Sequence, residues 1–232
     1  MRVALGLMVA SGLLIAVQIL TSDGAKAVPV QSIEEQRKQA NQLFNDGSIA
    51  EALARYRPLA LNSGNAGKLL AGDFGLAVDC LNRLNRVNEF DAFIEAAVTA
   101  HAGDWRLLKR SAESLQGQVD QNGFLVAGEF HRGHHRGGGE WVSSSNRDRV
   151  RALQLLLQAE PLLKADDSAA ASERSYFYQQ LANTVRNIGN GESWRLQDLT
   201  DTAVLPDYDK NAGGYYGRFG GFGGSSGGAP RG

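Results

Sequence analysis

From Gln31 to about Leu205 apolar residues recur three and four positions apart, and no run alternates with the period of two that a half-buried strand requires. The pattern predicts helices throughout. Ala40, Leu43 and Phe44 share one helical face, Asn45, Asp46 and Gly47 form a turn, and Ile49, Ala52, Leu53, Tyr56 and Leu59 line a second helix. A second pair places Leu69, Leu70, Phe74, Leu76, Ala77 and Leu81 on one stripe and Phe90, Phe93, Ile94, Ala97 and Val98 on another, with Asn85 to Asn88 as the turn. Asp104 is a suitable cap for a helix carrying Trp105, Leu107, Leu108, Ala112 and Leu115. Val150, Leu153, Leu156 and Leu157 mark a further helix expected to end near Pro161. Tyr176, Phe177, Leu181 and Val185 mark another, before Gly189 and Gly191, and Trp194, Leu196 and Leu199 a short closing one.

The first hairpin resembles the tetratricopeptide pattern. Small Ala40 and Ala52 allow close helix approach, Leu43 and Tyr56 fill the space beside them, and Gly47 makes the turn. The step from Ala52 to its counterpart Phe93 exceeds the period of about 34 residues, so the next repeat is degenerate or extended. The fold class expected is all-α, a right-handed array of antiparallel helical hairpins forming a tetratricopeptide-like solenoid over residues 28–209. The two ends differ from this body. Arg2 precedes an apolar run from Val3 to Leu20, and Ala25 and Ala27 bracket Lys26 in the small-residue pattern of a signal-peptidase site, so residues 1–27 read as a signal peptide. The run is close to the length that spans a bilayer, so a retained anchor is the competing reading. Both imply export to the periplasm, the cell envelope or the medium. Residues 210–232 are rich in glycine and too poor in apolar surface to offset chain entropy, which predicts a disordered tail or linker.

Composition narrows the function. With 24 basic and 25 acidic side chains the net charge is -1, which argues against a nucleic-acid or anionic-membrane binder. The single cysteine, Cys80, excludes an internal disulfide and a zinc site built from cysteine pairs, and its helical position makes it a core thiol. There is no H-E-x-x-H and no phosphate-binding loop, so neither an enzyme nor a cofactor is expected. The string HRGHHRGGGEW brings His131, His134 and His135 together, and zinc or nickel could bind there with Glu129 or Glu140 as a fourth ligand. Against that, Arg132 and Arg136 would repel a cation, and a glycine-rich loop lacks the rigid surroundings that orient metal ligands. Arg147, Arg149 and Arg151 follow Ser143, Ser144, Ser145 and Asn146 and could form an anion-binding patch at a helix start. Their odd spacing turns them to different faces, and the plainer reading is surface charge paired with carboxylates.

The segments LFNDGSIAEALARYRPL, LNRLNRVNEFDAFIEAAVTAHAGDWRLL, GFLVAGEFHRGHHRGGGEWV, SNRDRVRALQLLLQA and WRLQDLTDTAVLPDY resemble the amino-terminal helical region of large bacterial alpha-2-macroglobulin-like proteins. The resemblance runs from about Gln39 to Tyr208 and implies an exported envelope protein in which helical repeats precede protease-trapping β-sandwich domains. It departs from that family in stopping at the glycine-rich stretch, and Cys80, followed by Leu81, Asn82 and Arg83, is not a thioester motif. The function expected is therefore a non-catalytic scaffold. Its partner is a peptide or protein domain on the face formed by the first helix of each hairpin, with Asn41 and Asn45 as donors. The alternative is an envelope metal- or anion-binding protein acting through the His131–His135 loop. Membrane contact is expected only through an uncleaved leader.

Overall fold

The computed structural model describes residues 32–186 and 202–210. The leader, its cleavage site, the short helix around Trp194 and the glycine-rich segment after Lys210 lie outside these residues. The described chain is mainly helical, in the order α1 Ile33–Asn45, α2 Ile49–Leu61, α3 Gly67–Arg83, a 3-10 turn Val87–Glu89, α4 Phe90–Ala100, α5 Trp105–Gly117, β1 Asn122–Val126, β2 Glu129–Arg132, β3 Glu140–Ser143, α6 Ser145–Ala165 and α7 Ala171–Arg186. No described helix is long and apolar enough to cross a membrane.

Local chemistry accounts for the helix ends. Ser32 Oγ accepts from the Glu35 amide at 3.2 Å while Glu35 Oε2 accepts from the Ser32 amide at 3.1 Å, a reciprocal cap that starts α1. Gly47, at φ +83°, turns the chain left-handed after α1, and the Ser48 amide donates back to the Leu43 carbonyl at 2.9 Å. Asp104 caps α5 through the amides of Arg106 and Leu107, as expected. Its other oxygen accepts from the Gly67 amide at 2.5 Å, so one carboxylate serves the starts of both α3 and α5. The expected end at Pro161 is not observed. α6 runs to Ala165 with Pro161 inside it, and because Leu157 is exposed, water can reach the backbone on that side of the turn.

Packing runs from neighbour to neighbour: α1 on α2, α2 on α3, α3 on α5, α5 on α6 and α6 on α7. One continuous core extends from Ala40 to Phe177. Phe74 and Phe93 stack at 5.2 Å between α3 and α4, and Trp105 meets Phe177 edge to face at 6.3 Å. Ala40, Ala52 and Tyr56 are fully buried and Leu43 packs against the core. Leu69 belongs to the apolar stripe by spacing, yet it is 57% exposed.

The all-α expectation needs correction between α5 and α6. Residues 122–143 form a three-stranded antiparallel sheet in the order β2-β1-β3, where a glycine-rich loop between helices was expected. The hairpin turns at Ala127 and Gly128, both at positive φ, the two-residue geometry that matches strand twist. Alanine holds the position normally taken by asparagine, so the sequence lacks the usual turn signal, and strands of four or five residues are too short for alternation to stand out. β2 and β3 both run against β1 from opposite sides, so residues 133–139 must cross from one edge of the sheet to the other. A backbone so close to a sheet leaves little room for side chains. A Cβ on Gly139 would sit 3.0 Å from Val126 Cγ2 and 3.1 Å from the Leu125 carbonyl, and Gly137 and Gly139 adopt φ of +145° and +151°.

Arg132 ties this sheet to the helices. Its side chain is 1% exposed, yet it carries a full charge. The guanidinium forks onto Asp91 of α4 at 2.7 and 3.1 Å and onto Asp148 of α6 at 2.7 and 3.0 Å, and donates to the Asp120 carbonyl at 2.8 Å. Ser144 Oγ accepts from Arg132 at 3.1 Å and lies 2.8 Å from Asp148, to which it can donate. Burial disfavours the charged guanidinium, but the two carboxylates outweigh it and raise the pKa above that of a free arginine. Replacing Arg132 with Met should cost about 3–5 kcal/mol in urea unfolding, because Asp148 would stay buried without its counter-charge. The R132M/D148L double variant should lose less than R132M alone, since the buried carboxylate goes with its partner and Asp91, 42% exposed, keeps access to water.

Candidate functional site

The residues singled out by sequence fall in three separate places. On the sheet, Phe124 pairs across strands with His131 on one side and Trp141 on the other. The crossing loop brings His135 back over them, 5.1 Å from the His131 ring and 6.2 Å from Phe124. His134 is exposed. Glu140 pairs with Lys210 at 2.7 Å. Among the described residues no three histidine, cysteine or carboxylate side chains come together as a ligand set. The clustering of imidazoles thus follows from the topology that folds the loop over β1, and Arg132 between them is turned to the opposite, buried face by the strand period.

The three arginines of α6 diverge. Arg147 donates to the Pro206 carbonyl at 3.0 Å and lies over the Tyr208 ring, holding the segment 202–210 against the body. Asp209 completes that attachment through two backbone bonds of 2.8 Å with Ser143. Arg149 reaches Asn146 at 3.4 Å. Arg151 forks onto Glu95 of α4 at 2.6 and 2.8 Å. On α1, Asn41 accepts from the Tyr56 hydroxyl at 2.5 Å, a bond between the two helices of the first hairpin, and Asn45 is exposed at the helix end. Cys80 is fully buried, and burial pushes its thiol up to about 11.

A different surface is concave. Three adjoining depressions of about 690, 400 and 330 Å³ run across α3, α5 and α7. Ala71 and Arg110 border the first and second, and Glu113 and Tyr176 the second and third, so they form one trough. Its floor on α3 is made of Ala71, Gly72 and Gly75. At Gly75 a Cβ would lie 2.6 Å from Nε and Nη2 of Arg110, so the guanidinium rests on the bare backbone and a side chain there would displace it. A glycine inside a helix marks close approach of another group, and this was the available sequence signal. Tyr176, 64% exposed, stands on the α7 wall with the Lys109 ammonium 5.1 Å from its ring.

Ion pairs set the shape of this trough. Arg106 of α5 donates to Glu173 of α7 at 3.2 Å through both Nε and Nη2, and to Asp166, just beyond α6, at 3.0 Å. Trp105 Nε1 also donates to Asp166 at 2.9 Å. The Arg106 guanidinium holds the Glu173 carboxyl down at about 2 against the opposing effect of burial. Hydrogen bonds from Ser168, Trp105 and Arg106 hold Asp166 well below the usual carboxylate range. A depressed carboxyl pKa adds stability that is present above the unfolded-state value, about 4, and is lost as pH falls through the folded-state value. The urea midpoint should therefore fall between about pH 4.5 and 2, and E173Q should make that fall shallower. No protein-family model, curated protein or solved structure matches the chain.

Proposed function

We propose that this chain is an exported, non-catalytic helical-repeat module that binds an extended segment of another protein in the trough across α3, α5 and α7. The observation that carries the reading is the continuity of the three depressions, which share bordering residues and cross three helices in succession. Helices pack about 8–10 Å apart, so the trough is about 20 Å across, room for about six residues of extended chain. The tetratricopeptide-like first hairpin and the close packing of α5 on α6 support an architecture of stacked helices. On this reading α7 extends the face of α3 and α5. Asn41 and Asn45 do not border the trough, so the recognition belongs to α3, α5 and α7 rather than to α1.

The export signal read from the leader and the resemblance to the amino-terminal region of alpha-2-macroglobulin-like proteins support a place in the cell envelope. There the module would hold a neighbouring domain or a partner segment, and no reaction is assigned to it. Placing the photo-crosslinker p-benzoylphenylalanine at Tyr176 tests the reading in cells that make the protein. Adducts of defined mass should form at this position and not at Leu157, which is exposed on α6 and does not border the trough. Equal labelling at both positions, or none at Tyr176, would overturn it.

A further inference from the structure

The charges of the trough do not cancel evenly, and the imbalance identifies its occupant. Four cationic side chains border the middle depression, Lys68, Arg106, Lys109 and Arg110, against two carboxylates, Glu113 and Glu173. Glu173 is taken up by both arms of Arg106. Glu113 is taken up by Lys109 in an i,i+4 pair. Asp79, on the border of the neighbouring depression, pairs with Arg83 at 3.0 Å. Each acid therefore has a closer basic partner, and two cations are left with donors to spare. Lys68 is 70% exposed, and its ammonium comes no nearer to Glu173 than 3.4 Å. Arg110 touches Glu113 through Nη1 alone, at 3.3 Å. Its remaining donors lie over Gly75, where the absence of a Cβ leaves the guanidinium at the junction of two depressions.

We infer that the segment bound in this trough is acidic, with a carboxylate side chain placed between Lys68 and Arg110. The inference rests on the trough being a binding site and adds the chemistry of its ligand. Arg110 supplies a planar fork suited to a carboxylate, and Lys68 a mobile point charge that can follow it. Ala71 and Gly72 leave the floor low enough for an extended backbone to pass. Tyr176 offers a ring for an apolar neighbour of the acidic residue.

The test uses the full chain and three fluorescein-labelled nonapeptides of alternating serine and glutamate, serine and lysine, or serine and glutamine, each with a central leucine. In fluorescence anisotropy the glutamate peptide should bind at least tenfold more tightly than the other two. Its affinity should fall several-fold between low and high salt, as screening of partly exposed charges requires. K68E/R110E should reverse the preference toward the lysine peptide. R110Q should reduce binding of the glutamate peptide at least fivefold, and it serves as the test variant if the double substitution lowers the helical circular dichroism signal. Equal binding of the three peptides, no saturable binding of the glutamate peptide, or unchanged binding to R110Q would overturn the inference. Adducts at Tyr176 together with a flat peptide series would leave the trough as a binding site and remove only the acidic ligand.

Discussion

A charged guanidinium with almost no access to water must be matched by its surroundings, and the joint between sheet and helices depends on meeting that demand at Arg132. Its donors are met by a carboxylate from α4, a carboxylate from α6 and a backbone carbonyl at Asp120, three segments that must therefore arrive together. Phe90 and Phe130 add their rings at 5.5 and 5.3 Å. A hydrophobic contact in this place would tolerate small slips. A doubly forked ion pair does not, because a slip of one residue along β2 would turn the arginine to the other face of the sheet.

The other unusual features between α5 and α6 follow from that arrangement. With β1 in the middle of the sheet, the chain has to pass over it between β2 and β3, and Gly139 occupies the point of closest approach to β1. The histidines are brought together by this path, His135 lying back over His131 and Phe124 while His134 is exposed. Their proximity in sequence suggests a ligand set. In space two of them lie ring beside ring at a tilt, close to Phe124, and the arginine between them is the group that ties the sheet to the helices.

On the helical side a related economy of charge governs the surface. Arg106 bridges α5 to α7 and to the end of α6, so the wall of the trough is held by ion pairs in addition to apolar packing. Those pairs use the acids nearest to hand, while Lys68, at the start of α3, and Arg110 of α5 keep only longer contacts of 3.4 and 3.3 Å to carboxylates on the border of the trough. The contacts that close the wall thereby also set which charges the trough presents.

How much of this could be read in advance depends on whether the physical signal is local. The helices were legible because a stripe repeating every three or four residues is a local requirement, and so were the turn at Gly47 and the cap at Asp104, each satisfied within a few residues. The burial of Ala40, Ala52 and Tyr56 followed from the same stripe. The sheet was not legible, because strands of four or five residues and an Ala-Gly turn give weak local signals and gain their stability from partners elsewhere in the chain. The pairings of Arg132 with Asp91, of Arg106 with Glu173 and of Arg110 with the bare backbone at Gly75 span tens of residues. Local preference determined the rods. Only tertiary packing decided which charges are buried and which stay at the surface, since that depends on distances between groups whose positions no short stretch of sequence encodes.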